Sequence, residues 1–376
     1  MKNYKEIIKS YREDLHKIPE IAYSEIKTSK YIKTVLERLG CFSITSYAKT
    51  GLVAEYRVND DKFVAFRTDI DALPLKELTD LSFKSTHEGF MHACGHDVHM
   101  SIMLGVAEYI EESRPNRNIA LIFQPAEEGN AGAKRMIDEG LFRDREIEEI
   151  YALHTSPKFR TGSIGINNNK MFAGTVEFSI ELKGVGGHAA YPHLVNDVNT
   201  AGATLVLNLN TITSRFLDPI HEKVISIGCI KGGSVANVMP EKFTLHGTAR
   251  SYSKEDLKRV KQKLKDMSEG VALSYGLEST LKIVSEYVPL INNKETAEKI
   301  IKSAKSMGVE VIDCAPEMTG EDFGFMNSEV SGSIYWLGVA YDDDKKNFNL
   351  HNPKYSPNEE SFINGFNIFK GIIGNS

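Results

Sequence analysis

Apolar positions along the chain change period several times, and each change predicts an element. In residues 3–17, Tyr4, Ile7, Ile8, Tyr11 and Leu15 recur at helical spacing, which predicts a helix ending before Pro19. A second helix is predicted near 24–39, closed by Gly40. The pattern then shortens. Residues 51–58 and the apolar run 62–68 predict strands, the second leading into Asp69-Ile70-Asp71. Residues 100–111 return to a helical period, and 118–123 (NIALIF) predict another buried strand, followed at once by Gln124-Pro125-Ala126-Glu127-Glu128-Gly129. A helix at 133–139 and a strand at 149–153 follow, with His154 next in line.

Near Gly174 the character changes. Residues 175–182 (TVEFSIEL) alternate as a half-buried strand does. A glycine-rich turn at 184–190, a helix over 198–214, strands at 223–230 and 241–250, a helix opened by Ser253 and a strand near 281–288 complete a β-α-β-β-α-β order. That order predicts an inserted ferredoxin-like α+β domain over 174–289. From Lys294 the first pattern resumes, with a polar loop Thr319-Gly320-Glu321-Asp322-Phe323-Gly324, a buried strand at 332–339, the phrase Leu350-His351-Asn352-Pro353 and a final helix over 359–373. The predicted fold class is α/β, with one domain formed by 1–173 and 290–376.

Composition narrows the function. A chain of 376 residues exceeds what one hydrophobic core ordinarily organises, in keeping with two domains. A net charge of -6 argues against a nucleic-acid surface, which needs a basic face. No apolar run is long enough to span a membrane, and the charged start MKNYKEIIKSYRED lacks the apolar core of a signal peptide, so the expected compartment is the cytoplasm. Cys41, Cys229 and Cys314 read as ordinary thiols.

The chemistry concentrates in Met91-His92-Ala93-Cys94-Gly95-His96-Asp97-Val98-His99. Thiolate and imidazole are the donors a zinc-like cation prefers. Further donors follow predicted strands, where open α/β sheets place their ligand sites: Asp69 and Asp71, Glu127 and Glu128, and His154. Cys94, His96, Glu128, His154 and His351 are one donor too many for a single tetrahedral ion but suit two ions sharing a ligand. Of Glu127 and Glu128, one would then bind metal and its neighbour would move the proton; spacing does not say which. His92, His99, His193, His221 and His246 are read as bystanders, and the Lys231-Gly232-Gly233-Ser234 loop lacks the residues of a phosphate loop. A thiol nucleophile at Cys94 and a non-catalytic binding protein are the rival classes. The two glutamates and the distant histidines favour metal over either.

HACGHD, FQPAEEG, GGHAAYPH and TGEDFG, in this order, resemble the M20 family of metallopeptidases and amidohydrolases, in particular the aminoacylase and hippurate-hydrolase branch. The resemblance implies a zinc-peptidase-like catalytic domain with a mostly parallel mixed sheet, and an inserted domain that serves as lid and dimerises. It implies two divalent ions (zinc, cobalt, nickel or manganese) held by Cys94, His96, Glu128, His154 and His351. Glu127 would be the general base, with Glu128 the ligand beside it, and Asp69 would orient a ligand with Asp71 close by. His188 would reach the site of a second copy in a homodimer and hold the oxyanion, and Asn237 and Arg250 would bind the substrate carboxylate. The peptidase branches use a bridging aspartate; here a cysteine enters the set. The phrases RxDLHxxPE, MHACGHD, KGVGGHAAYPHL and MTGEDFG narrow the implied reaction to deacetylation of a small N-acetyl amino acid of the diaminopimelate type. A broader N-acyl-amino-acid or hippurate-type hydrolase is the alternative.

Overall fold

The computed structural model describes residues 2–374, which form two compact units. The first runs to Met171 and continues through Ile291–Pro316 and from Phe325 onward. The second comprises Phe172–Leu290 with Glu317–Gly324.

An eight-stranded sheet organises the first unit. Its spatial order is Ser43–Tyr47, Gly51–Tyr56, Ile119–Gln124, Phe63–Asp69, Ile147–Arg160, Ser331–Ala340, Ser163–Ile166 and Glu310–Asp313. The four strands from Ile119–Gln124 to Ser331–Ala340 run parallel to one another. Antiparallel pairs sit toward the edges. Every residue of Phe63–Asp69 and of Ile119–Gln124 is buried, which explains why both strands read as unbroken apolar runs. The helices Tyr4–His16, Ile26–Leu39, His96–Ser113, Lys294–Ser306 and Phe362–Gly374 supply the rest of the core. Ile8, Leu15, Ile32, Met103, Ile300 and Phe366 join Phe66 and Leu121 in one cluster. Burial of each such side chain contributes about 1.5–3 kcal/mol relative to exposure.

In the second unit, four antiparallel strands lie in the order Lys223–Lys231, Lys242–Ser251, Gly174–Lys183, Glu278–Tyr287. Numbered along the chain this is 2-3-1-4, the ferredoxin-like arrangement. Val176, Phe178, Ile180 and Leu182 alternate with exposed or half-buried residues and pack on Leu205, Leu209, Val260 and Leu264 of the helices Val198–Asn210 and Lys254–Tyr275. Ser253 caps the second of these helices, accepting the Asp256 N–H at 3.1 Å.

Three differences from the sequence pattern bear on the site. The strand expected to stop before His154 runs on to Arg160, so His154 stands within a strand. It is held there because Ser331–Ala340 pairs alongside, Trp336 opposite His154. The helix expected from Met100 begins at His96, because Gly95 at φ 88° caps it and turns the chain sharply. The short strands Ser43–Tyr47, Ser163–Ile166 and Glu310–Asp313 have no counterpart in the predicted pattern. Four or five residues are too few to display a period.

Candidate metal centre

Parallel register places the donors. Arg67 lies opposite Ala152, so Asp69 ends its strand level with His154 on the next. The neighbouring strand ends at Gln124 and delivers Glu127 and Glu128 from the turn that follows. Ala126 enters that turn at φ 57°, and its N–H is accepted by the buried Glu25 carboxylate at 2.9 Å, with the Thr50 hydroxyl donating to the same group at 2.8 Å. A Cβ at Gly132 would collide with the Pro125 carbonyl, so only glycine lets the turn fold back so tightly. His351 arrives from the C-terminal segment at φ 62°, its N–H donating to the Ala93 carbonyl at 2.8 Å.

Cys94 is the centre of the cluster. Its Sγ is 3.4 Å from His154 Nε2 and 3.3 Å from His351 Nε2. Ligand atoms of Cys94, His96 and His154 fall within 4.8 Å of one another, as do those of Cys94, Glu128 and His351. A third such group joins His96, Glu127 and Glu128. The five donors singled out from the sequence therefore converge, with Cys94 common to two groups.

The two aspartates differ in what they touch. The Asp71 carbonyl takes the His96 Nδ1 proton at 2.8 Å, and its carboxylate accepts the Glu128 N–H at 2.9 Å. Asp69 pairs with Arg67 at 3.0 Å and accepts from His99 Nδ1 at 2.7 Å. Burial works against the Asp69 charge, but His96, His99 and Arg67 outweigh it and hold the carboxyl well below its ordinary range.

His99 was set aside in the sequence, yet it lies inside this site. Three positions after His96 on one helix, it shares a face with it, which is the signal that could have found it. It does not offer a free nitrogen, because Nε2 accepts the Thr155 N–H at 2.9 Å. Asp97, next to His96, is held by His16 Nδ1 at 2.8 Å and Arg12 Nε at 3.0 Å. Arg12 and His16, four apart on the first helix, thereby give the RxDLHxxPE phrase a physical role.

The donor set fits a divalent cation. His96 Nε2 and Glu128 Oε1 are buried without a hydrogen-bond partner, although Glu128 Oε1 is within ion-pair range of His351 Nε2 at 3.2 Å. Leaving such atoms uncompensated is costly, and an ion would satisfy both. Burial holds His154 in its neutral form, and its Nδ1 donates to the Thr155 carbonyl at 2.9 Å, which directs Nε2 toward Cys94. The Cys94 thiol is pushed up by burial and by Glu128, Glu127 and Asp69. Around His96, burial is outweighed by Asp69, Asp71 and Glu128, which raise the imidazole to about 10. So many acidic groups in one enclosed place call for positive charge.

The remaining candidates belong to the second unit. His188 and Asn237, far apart in sequence, meet through a two-stranded ladder in which Val238 pairs with His188. The Ala189 N–H donates to the Asn237 carbonyl at 3.1 Å, and both side chains are exposed. Arg250 lies on the Lys242–Ser251 strand and donates to the Met318 carbonyl at 2.7 Å.

Comparison with known proteins supplies the class. The model of peptidase family M20/M25/M40 matches residues 65–375, and the chain belongs to that family. It is 38% identical over 372 residues to N-acetyldiaminopimelate deacetylase of Lactobacillus helveticus, covering 97% of this chain and 96% of the relative. With the enzyme of that name from Streptococcus sanguinis it shares 41% over 354 residues, 93% of each chain. Among solved structures, an aminohydrolase of methicillin-resistant Staphylococcus aureus superposes with a TM-score of 0.90 at 29% identity, over 98% of this chain and 96% of that one. A dinuclear metal-binding M20 peptidase of Bacillus subtilis gives 0.83 at 28%, over 98% and 97%. Among the described residues, no helix is long and apolar enough to cross a membrane.

Proposed function

We propose that the chain hydrolyses the acetyl amide of N-acetyl-LL-2,6-diaminoheptanedioate, giving acetate and diaminopimelate for lysine biosynthesis. The convergence of Cys94, His96, Glu128, His154 and His351 supports the chemistry. The substrate is supported by the N-acetyldiaminopimelate deacetylases that resemble the chain over nearly its whole length. Two divalent ions, of zinc, cobalt, nickel or manganese, held by those five side chains would supply polarisation of the amide carbonyl and acidification of water.

Glu127 is buried beside His96 and Glu128 and serves as general base. It takes the proton of the attacking water and returns one to the departing amine. Glu128 holds metal, which agrees with its place between Cys94 and His351. Asp71 fixes the His96 tautomer, and Asp69 holds Arg67 and His99 behind the ligands. His188, from a second copy in a homodimer formed through the inserted unit, steadies the oxyanion, and Asn237 and Arg250 bind the substrate carboxylate. The enzyme works in the cytoplasm.

The test is a substrate panel on metal-reconstituted protein. Acetate release from N-acetyl-diaminopimelate should exceed benzoate release from hippurate by a large kcat/KM ratio. Equal or reversed ratios would replace this reading with a general N-acyl-amino-acid hydrolase.

A further inference from the structure

The ligand segments are far apart in sequence, and one residue touches or adjoins those of Cys94, His154 and His351. Thr155 is fully buried and follows His154 on the strand. Its carbonyl accepts the His154 Nδ1 proton at 2.9 Å. Its N–H donates to His99 Nε2 at 2.9 Å, and His99 in turn donates to Asp69 at 2.7 Å. Its hydroxyl donates to the Cys94 carbonyl at 3.2 Å. The Tyr355 hydroxyl donates to Thr155 Oγ1 at 3.1 Å. Tyr355 ends the turn that begins just after His351, its N–H donating to the Asn352 carbonyl at 2.9 Å.

His99 Nδ1 must carry a hydrogen to meet the Asp69 carboxylate, so Nε2 is a bare acceptor and the Thr155 amide fills it. The threonine hydroxyl has one proton, which the Cys94 carbonyl and His99 Nε2 both face at 3.2 Å, and a lone pair that receives the phenol proton of Tyr355. A Cβ at Gly95 would strike Thr155 Oγ1, so the hydroxyl also occupies the space that glycine leaves open between Cys94 and His96.

We infer that Thr155 is a positioning residue for the metal centre, locking the segments of Cys94, His154 and His351 into one geometry. This rests on the reading of those three side chains as ligands. Metal affinity, not fold stability, is the quantity it controls.

The experiment loads metal-free protein with cobalt(II) and reads two signals: affinity by chelator competition, and the thiolate-to-cobalt absorption band. Thr155→Val keeps the shape and removes the hydroxyl. Its affinity should fall about 10- to 100-fold with an altered band, while Thr155→Ser stays within a few-fold of wild type. A merely structural threonine would lower the melting temperature of the chelated protein and leave affinity and band unchanged, and that result overturns the inference. Should Thr155→Val fail to fold, Tyr355→Phe deletes one bond to the same oxygen. A several-fold loss of affinity is expected there, and wild-type binding overturns the inference. If the wild-type band is indifferent to Cys94→Ala, the ligand reading falls and takes this inference with it. If only the threonine and tyrosine variants are silent, the ligand reading stands alone.

Discussion

Glu127 and Glu128 are adjacent in sequence but unequal in surroundings. Glu128 stands with Cys94 and His351, while Glu127 is the more buried of the two, facing His96. Glu127→Gln should therefore keep the wild-type metal content, measured by elemental analysis, while kcat falls by about 10²–10⁴-fold, the usual size of a general-base effect. Near-wild-type turnover would move the base elsewhere. Glu25 carries a different prediction. Burial raises its carboxyl to about 7, with Asp71 adding to the effect against the bonds from Thr50 and Ala126. Between the ordinary carboxylate value and about 7 the folded chain keeps a proton that the unfolded chain has lost. Stability therefore falls as pH rises through that window, by roughly 3 kcal/mol at most. Denaturant midpoints across the window should show this slope in wild type, and Glu25→Gln should flatten it. Parallel curves would mean that Glu25 does not titrate there.

At the scale of elements, the turn that precedes the His96–Ser113 helix is the most demanding piece. Gly95 adopts φ 88°, where other residues are strained, and its missing Cβ makes room for Thr155. Gly95→Ala should cost on the order of 1–3 kcal/mol, read as a shift in denaturant midpoint, and should weaken metal binding in parallel. Elements with a long, regular period, such as Tyr4–His16, Gly174–Lys183 and Lys254–Tyr275, were legible in the sequence because side-chain period and backbone geometry are the same fact. The donors were legible because thiol and imidazole are scarce and clustered. Thr155, His99 and the Arg12–His16 hold on Asp97 were not, since each acts through hydrogen bonds to segments distant in the chain. A threonine carries no local mark of such a task. The placement of His154 within its strand was hidden for a similar reason: its neighbour Ser331–Ala340 lies far along the chain.

For the whole molecule, metal and stability are linked. If ions bind only the folded chain, free metal at about 100 times Kd stabilises it by about 2.7 kcal/mol. Chelation should lower the melting temperature and abolish activity together, and divalent metal should restore both. A melting temperature indifferent to chelator would separate the cluster from metal binding.

Ser331–Ala340 sits near the middle of the eight-stranded sheet, between Ile147–Arg160 and Ser163–Ile166, although it is the last of these strands to be made. A growing polypeptide leaving the ribosome would thus carry a gap in this sheet until residues 331–340 emerge, while the inserted segment, already extruded, can fold meanwhile. Contacts of such long sequence separation are slow to form. Nascent chains halted before residue 331 should stay sticky and protease-sensitive, and catalytic power should arise only once Ser331–Ala340 and His351 have both emerged.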